Sequence, residues 1–297
     1  CVWYDDVKNY YEGILQVAKM QAFFKEHSAG FHTVEPAKVW KEYTTEYYIM
    51  DTYYREFHKT YSESLKNYHE ELSDLFTHVM EKVEGLYTTW FLGQLGNNWS
   101  DACADNLREY GRVLEVPQQT DFYRQKVAAS DSKVYVIISD ALRYEVAATL
   151  AEQLQRETQA KVDLKSMQAV FPTITKFGMA ALLPHKHIHT EIKGSDNTER
   201  LVVLADSQST EANNRDKLLK AADPASVALK YKDIIGMKRA DRQALIKGMN
   251  VVYIYHDTID EAGHLESSIF SACDTAIEEI KNMVRIIANE WGGANII

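Results

Sequence analysis

Three apolar runs of the sequence are each followed by side chains that can bind metal or take part in hydrolysis. These side chains are Asp140 after "KVYVIIS", Thr173 and Thr175 after "MQAVFP", and Asp257, Asp260 and His264 after "NVVYIYH". Carboxylates, hydroxyls and imidazoles form the ligand set of hydrolytic sites that bind divalent metal ions. The pattern therefore indicates metal-assisted hydrolysis, provided that the fold brings these three distant segments together.

Each segment, taken alone, also has a purely structural interpretation. Asp140 is a suitable cap for the helix predicted to follow it, and Thr173 or Thr175 is a suitable cap for "KFGMAALL". Asp260 and His264, four residues apart, are typical of a surface pair on a helix. We favour a site because three segments, each placed after a predicted strand, supply complementary types of ligand.

The positions of these side chains depend on a sheet predicted in the second part of the chain. Short β-branched runs alternate there with helical stretches, and several runs are apolar on both faces, as expected of strands covered by helices on both sides. The predicted strands are residues 133–139, 161–171, 200–205, 250–256 and 294–297. We therefore predict an α/β fold with a mostly parallel sheet sandwiched by helices, whose ligands bind beyond the carboxyl ends of the strands.

The first part of the chain differs in composition and periodicity. Thirteen of the 18 tyrosines precede residue 124, and apolar residues recur there at three- and four-residue spacing, which predicts long amphipathic helices. The sequence thus predicts a helical, tyrosine-rich region over residues 1–124 and an α/β domain over residues 125–297.

An aromatic stripe runs along the second of these predicted helices and consists of Tyr43, Tyr47, Tyr54 and Tyr61. A stacking platform for bases or a partner surface is one interpretation. We favour helix-on-helix packing, because aromatic stripes at helical spacing usually face a neighbouring helix, with their hydroxyls at the edge of the interface.

Charge and composition exclude several classes of protein. The formal net charge of −10 argues against nucleic-acid binding through general phosphate attraction, which relies on clustered Lys and Arg. Three cysteines, few and odd in number, are typical of a reducing compartment, so we expect a cytoplasmic protein. No stretch approaches the roughly 20 apolar residues of a membrane span.

The motifs together resemble those of the alkaline phosphatase superfamily. "SDALRYE" is similar to its first metal motif, "FPTITKFGMAALLP" to its nucleophile segment, and "DEAGH" to its Asp-x-x-Gly-His ligand pair. Spelled in this way and in this order, they look most like the PglZ family, the alkaline-phosphatase-like component of BREX phage-defence systems. The resemblance covers roughly residues 124–297.

The resemblance implies a role for each matching residue. Asp140 would bind one divalent metal ion, and Asp260 and His264 would bind a second, with zinc or manganese as the expected metals. Thr175 would be the nucleophile and would also bind metal, because "PTIT" aligns with the Pro-Thr-Lys-Thr pattern of nucleotide pyrophosphatases. Thr173 is the alternative nucleophile. Arg143 would have a supporting role, in which it braces Asp140 or approaches phosphate. The competing interpretation is that Arg143 forms an exposed ion pair.

The resemblance also implies ligands that this sequence lacks. The superfamily requires a further Asp-His pair and another His, and no Asp-His pair follows Gly263. The sequence begins without Met and closes on "GGANII", so we expect a fragment, truncated at its C-terminus, with an incomplete metal site.

A further motif, "PHKHIHT", has His185, His187 and His189 at alternate positions, a spacing that can bind metal. We favour a polar surface turn for this segment.

Two functions follow from these expectations. The first is a metal-dependent phosphoesterase, either phosphatase or phosphodiesterase, that acts in phage defence through a threonine nucleophile and is inactive as a fragment. The second is a non-catalytic scaffold that binds partners in the defence complex. In both cases the expected partners are other BREX proteins, while the acidic charge gives no support for nucleic acid and no membrane association is expected.

Overall fold

The computed structural model divides into two compact units that interleave along the chain. The first unit comprises Cys1–Val116, Arg143–Ser166 and Leu265–Ala272, and the second comprises Pro117–Leu142, Met167–His264 and Cys273–Ile297. Within these ranges the structure describes residues 2–66, 70–195, 198–263 and 269–297.

The first unit is helical, as the periodicity of its sequence predicts. Its helices are α1 (Val2–Glu26), α2 (Pro36–Glu42), α3 (Tyr48–Ser64), α4 (Glu70–Glu84), α5 (Gly93–Tyr110) and α6 (Tyr144–Glu157), with π-helical segments at Tyr43–Tyr47 and Gly85–Leu92. Pro36 occupies the first turn of α2, where its missing N–H leaves no hydrogen bond unmade. Gly111 ends α5 with a φ of 65°, a left-handed conformation that glycine adopts at little cost.

The tyrosine stripe lies in the aromatic core of this unit. Tyr54 is buried and stacks on Tyr87 with ring centroids 3.7 Å apart. Tyr43 and Tyr87 donate hydrogen bonds to the two carboxylate oxygens of Asp51, at 2.7 and 2.6 Å. The interpretation of the stripe as helix packing is confirmed, because its members contact the core and are at most partly exposed.

A buried ion pair joins α3 to α6 within the first unit. The side chains of Arg55 and Glu145 are 0% and 1% exposed, and Arg55 Nε lies 3.1 and 2.9 Å from the two carboxylate oxygens of Glu145. Burial raises the pKa of Glu145, and the adjacent Arg55 charge opposes that rise. Each charge therefore offsets much of the desolvation cost of the other.

The second unit contains a four-stranded parallel sheet in the order β5-β6-β1-β7. Its strands are β1 (Val134–Ser139), β5 (Ser226–Lys230), β6 (Val251–His256) and β7 (Asn295–Ile296), and a separate antiparallel sheet holds β2 (Ile188–Lys193), β3 (Arg200–Ala205) and β4 (Gln208–Ser209). The remaining helices are α7 (Thr175–Ala181), α8 (Arg215–Ala222), α9 (Tyr231–Gly236), α10 (Arg239–Leu245), α11 (Thr258–Ala262) and α12 (Ile269–Glu290). The predicted α/β class, with an all-helical region before it, is confirmed.

Alternate residues of β1 enter two different cores. Val136 and Ile138 pack with Met179 of α7 and with Leu218 and Leu219 of α8. Buried Tyr135 packs on the other face with apolar residues of α9 and α12. A strand with apolar residues on both faces, as in "KVYVIIS", is thereby covered on both sides.

Two predicted strands differ from the structure. Residues 161–171 contain no extended strand, and their one bridge pairs Gln168 with Gln118. Asp163 and Lys165 form an exposed local ion pair at 2.6 Å, whereas a strand in a sandwiched sheet would bury such charges. The predicted strand at residues 200–205 exists as β3, but in the antiparallel sheet.

Across the described ranges, no helix is both long and apolar enough to cross a membrane.

We predict that Arg55→Met lowers the free energy of unfolding by about 3–5 kcal/mol, because it removes the closest counter-charge of the buried Glu145 carboxylate and leaves it with the more distant Arg143. Urea denaturation followed by tryptophan fluorescence measures the change. The loss should shrink as pH falls, because a buried carboxyl with a raised folded-state pKa favours the folded state once it is protonated.

Two variants control this measurement. Arg55→Met combined with Glu145→Leu should recover most of the lost stability, because neither buried charge of this pair then remains. Arg108→Met removes an exposed ion pair with Asp105 and should change stability by less than about 1 kcal/mol. Equal losses for Arg55→Met and Arg108→Met would contradict the prediction.

Candidate active site at the carboxyl end of the parallel sheet

The candidate site begins where β1 and β6 end side by side. Their parallel register pairs Ser139 with His256, and the Asp140 N–H donates a hydrogen bond of 2.8 Å to the His256 carbonyl oxygen. Two segments that are far apart in sequence therefore leave the sheet at one point.

Asp140 occupies a sharp turn at the end of β1. The next residue, Ala141, has a φ of 60°, and its N–H donates to Asp140 Oδ1 at 3.0 Å. The N-cap position of α6 is held by Arg143, whose side chain makes no capping bond. Asp140 is therefore not the cap of that helix, and its carboxylate is held at the end of the strand.

Thr175 is the first residue of α7, and its hydroxyl reaches Asp140. Thr175 Oγ1 donates to Asp140 Oδ1 at 3.4 Å, a long hydrogen bond. The N-cap position belongs to Ile174, so Thr175 does not cap this helix. Thr175 is exposed to solvent, as is Thr173. The Thr175 side chain is therefore accessible from solvent and not part of the core.

Asp260 lies in α11, and its charge acts on Asp140. The pKa of Asp140 is raised, first by burial and then by the Asp260 carboxylate. Hydrogen bonds from Ala141 and Thr175 and the positive charge of Arg215 oppose this rise. Two carboxylates and a hydroxyl at one sheet edge are hard oxygen donors, and a divalent cation would relieve the repulsion between the two acids. The donors present fit such a cation.

The neighbouring Asp257 is already paired. Lys232 Nζ lies 3.1 Å from Asp257 Oδ1, and it also forms an ion pair with Glu261. Lys232 thus neutralises part of the negative charge that β6 and α11 bring to this edge.

His256 stabilises the ends of β1 and β6 through its two ring nitrogens. The ring is buried, with Nδ1 hydrogen-bonded to Ser139 Oγ at 2.9 Å and Nε2 to Glu279 Oε2 at 2.8 Å. Thr258 Oγ1 donates to the same Glu279 oxygen at 2.6 Å. This network fixes the ends of β1 and β6 against α12, so His256 has a structural role in this stretch.

His264, a predicted metal ligand, lies outside the described residues. Of the residues that are described, Glu26, His27 and Glu46 are the one group of three or more His, Cys, Asp or Glu side chains whose ligand atoms lie within 4.8 Å of one another, and they belong to the first unit. The described side chains of the candidate site therefore supply two carboxylates and a hydroxyl.

The three histidines of "PHKHIHT" do not converge on a common metal position. His185 Nδ1 is hydrogen-bonded to the Leu183 carbonyl oxygen at 2.7 Å, and His189 Nε2 lies 3.8 Å from Glu191 Oε1 within β2. The backbone N–H of His187 donates to Asp206 Oδ1 at 2.9 Å. The imidazoles of His185 and His189 thus have separate partners, which agrees with the interpretation as a polar surface segment.

Two arginines lie in or near the segments that form the candidate site. Arg143 belongs to the first unit, where its Nη2 lies 3.6 Å from Glu145 Oε1, so its predicted support of Asp140 stays a prediction. Arg215, which the sequence analysis did not select, opens α8 and carries charge that favours ionised Asp140. Neither a motif nor a strand exit marks Arg215, and only the packing of α8 on the sheet reveals it.

A cavity of about 500 Å³ lies elsewhere in the second unit and is lined by Tyr231, Asp274, Thr275, Glu278, Glu279 and Asn282. These residues belong to α9 and α12, which cover the face of the sheet opposite to α7. The cavity is therefore separate from the edge that holds Thr175.

Comparison with known proteins identifies the family. Residues 122–297 match the model described as the BREX system PglZ alkaline phosphatase-like domain. The chain belongs to the PglZ family. Among curated PglZ-family relatives, the alkaline phosphatase-like protein BrxZ of Escherichia coli O9:H4 (strain HS) is 34% identical over 296 residues, covering 96% of this chain and 33% of the relative. The alkaline phosphatase-like protein PglZ of Bacillus cereus (strain H3081.97) is 32% identical over 301 residues, covering 99% and 34%.

These matches extend beyond the PglZ domain itself. Both relatives align with nearly the whole chain, including the helical first unit, which has no recognisable motif of its own. The chain spans about one third of the length of each relative.

We predict that Ala141→Val lowers the free energy of unfolding by about 1–2 kcal/mol, because a β-branched side chain is strained at the φ of 60° found there. Ala141→Gly should leave stability unchanged or raise it by about 1 kcal/mol, because glycine adopts this conformation freely. Urea denaturation measures both changes. The matched control is Ala221→Gly, at an exposed position in α8, which should lower stability by about 0.5 kcal/mol. A destabilising Ala141→Gly would contradict the prediction.

Proposed function

We propose that this chain carries the nucleophile and part of the metal site of a phosphoesterase, a phosphatase or phosphodiesterase, that acts in a bacterial phage-defence system. One observation carries the proposal. The Thr175 hydroxyl bonds Asp140 at the carboxyl end of a parallel sheet, beside a second carboxylate, Asp260, that acts electrostatically on the first. Membership of an alkaline-phosphatase-like family supports phosphate esters as the substrate class.

The proposed reaction starts at the Thr175 hydroxyl. Its hydrogen points toward Asp140 Oδ1, which leaves the lone pairs of Oγ1 directed away from that carboxylate. The Thr175 hydroxyl loses its proton to solvent as Oγ1 attacks phosphorus, the bond from phosphorus to the ester oxygen breaks, and the leaving alkoxide takes up a proton from water. Water then hydrolyses the phosphothreonine, which releases phosphate and restores the hydroxyl. Thr173, also exposed, is the alternative nucleophile.

Divalent metal ions are general in the alkaline phosphatase superfamily, and we propose two for this site. Asp140 and Thr175 would hold one ion, and Asp260 with His264 would hold the other. A bound cation would lower the pKa of the hydroxyl and stabilise charge on the phosphoryl oxygens. Zinc and manganese both accept such mixed nitrogen and oxygen ligands.

The metal site needs more ligands than these residues provide. Zinc sites in proteins ordinarily have at least three protein ligands, whereas each proposed ion here has two. We propose that the missing Asp-His pair and histidine come from outside this sequence, in keeping with relatives about three times as long. Assembly with other BREX proteins is likewise proposed, on the basis of the family description. Cytoplasmic location is proposed from the few cysteines, odd in number.

We predict that Thr175→Ala abolishes manganese- or zinc-dependent hydrolysis of nitrophenyl phosphate by a protein of the relatives' length that contains this chain. Because the residue is exposed, the substitution should change the free energy of unfolding by less than about 0.5 kcal/mol. The matched control is Thr173→Ala, which should retain activity. Activity in Thr175→Ala would assign the nucleophile to Thr173 or water, and a long protein that is inactive before substitution would favour the non-catalytic scaffold.

We predict that the 297-residue chain binds Mn²⁺ or Zn²⁺ weakly and turns over nitrophenyl phosphate negligibly, because its ligand set is incomplete. Isothermal titration calorimetry should show a further loss of affinity for Asp140→Asn. Asp131→Asn, at an exposed position before β1, controls for the loss of negative charge. Robust metal-dependent turnover by the wild-type chain would show that other residues complete the site.

A further inference from the structure

Arg215 is held in place by a backbone carbonyl group and an aromatic ring. Its Nε donates to the Thr210 carbonyl oxygen at 3.3 Å, and its guanidinium carbon lies 4.7 Å from the centroid of the Tyr255 ring. Thr210 is itself buried and bonded to Val203 of β3, through both its N–H and its hydroxyl. A backbone anchor and an aromatic platform thus fix the plane of the guanidinium.

The outer nitrogens of this guanidinium remain available. Within the part of the chain that the structure describes, Arg215 has no ion-pair partner within 4.0 Å, and Nη1 and Nη2 donate no hydrogen bond. The adjacent carboxylate, Asp216, is engaged elsewhere, with the Ala228 N–H at 2.9 Å and Lys220 Nζ at 2.6 Å. Nη1 and Nη2 of this partly buried guanidinium lie in one plane and can donate side by side to two oxygens of one oxyanion.

The fold places Arg215 on the same side of the sheet as Thr175. Both residues open helices, α8 and α7, whose apolar residues pack into one core against β1 and β6. Tyr255, beneath the guanidinium, pairs in register with Ile138, one position before the strand end that holds Asp140. The effect of the Arg215 charge on the pKa of Asp140 agrees with this placement.

We infer that Arg215 binds two non-bridging oxygens of the phosphoryl group that Thr175 attacks. This inference rests on the proposed function and adds the group that holds and orients the substrate phosphate. Fixed donors at the phosphoryl oxygens also stabilise charge that develops there during in-line displacement, at no cost of reorganisation.

Binding of inorganic phosphate to this chain, measured by isothermal titration calorimetry with and without Mn²⁺, tests the inference. Wild-type chain should bind phosphate, more tightly with Mn²⁺, because the cation offsets the repulsion from Asp140 and Asp260. Arg215→Gln should weaken phosphate binding roughly 10- to 100-fold, the equivalent of losing a charge-assisted bidentate contact. Arg215→Lys should be intermediate, because lysine keeps the charge and loses the planar fork.

Two variants separate a specific contact from a change in charge or fold. Lys217→Gln removes the same charge from an exposed position of α8 and should weaken binding less than about twofold at physiological salt. Tyr255→Phe keeps the ring face and should bind phosphate as the wild type does. Circular dichroism checks that each variant is folded.

The outcomes distinguish this inference from the proposed function. Phosphate binding by Arg215→Gln at wild-type strength, a loss no greater than that of Lys217→Gln, or absence of binding by the wild-type chain would overturn the role of Arg215. Thr175→Ala should still bind phosphate. An active Thr175→Ala enzyme would refute the nucleophile, whereas an Arg215-dependent phosphate affinity would stand.

Discussion

The pairing of β1 with β6 is the constraint on which the rest of the candidate site depends. Six consecutive residue pairs, from Val134 with Val251 to Ser139 with His256, align the two strands so that both end at one level. A shift of one residue would turn every side chain to the opposite face and expose the apolar residues that α7 and α12 now cover. The two cores therefore fix the register, and the register fixes where Asp140 and Asp257 leave the sheet.

Concentrated negative charge at this edge is opposed at several points by positive charge and hydrogen-bond donors. Lys232 pairs with Asp257 and Glu261, while Arg215 and the Thr175 hydroxyl favour the ionised form of Asp140. Burial and Asp260 still leave the pKa of Asp140 above its ordinary value. An apolar strand that ends in acids is thus tolerated because it is partly neutralised by cations that come from other helices.

The sequence predicts correctly the strands that are buried on both faces. It predicts wrongly the conformation of a segment whose charged side chains remain in solvent. β1 and β6 lie within one residue of their predicted bounds, because runs buried on both faces leave a continuous apolar signal. Residues 161–171 contain two β-branched residues, Val162 and Val170, but Asp163 and Lys165 form an exposed ion pair that keeps that segment in solvent. The role of Thr175 is implied by the resemblance of "PTIT" to the nucleotide pyrophosphatase pattern, whereas its bond to Asp140 follows from tertiary contact. No sequence pattern marks Arg215, because its significance lies in tertiary contacts with Thr210 and Tyr255 and in outer guanidinium nitrogens that no described residue engages.

The discontinuity of the first unit constrains the order in which the chain can fold. Arg55 is completely buried, and its counter-charge on Glu145 lies 90 residues further along the chain. During synthesis from the N-terminus, the helices up to residue 116 emerge while that carboxylate is still absent, so their packing would bury the Arg55 guanidinium before its buried counter-charge exists and leave it paired with the partly exposed Glu56. We expect a nascent chain in this state to remain loosely packed until β1 and α6 have left the ribosome. A protein truncated between residues 116 and 145 would lack Glu145 permanently. Its loosely packed helices would expose aromatic core residues and promote aggregation.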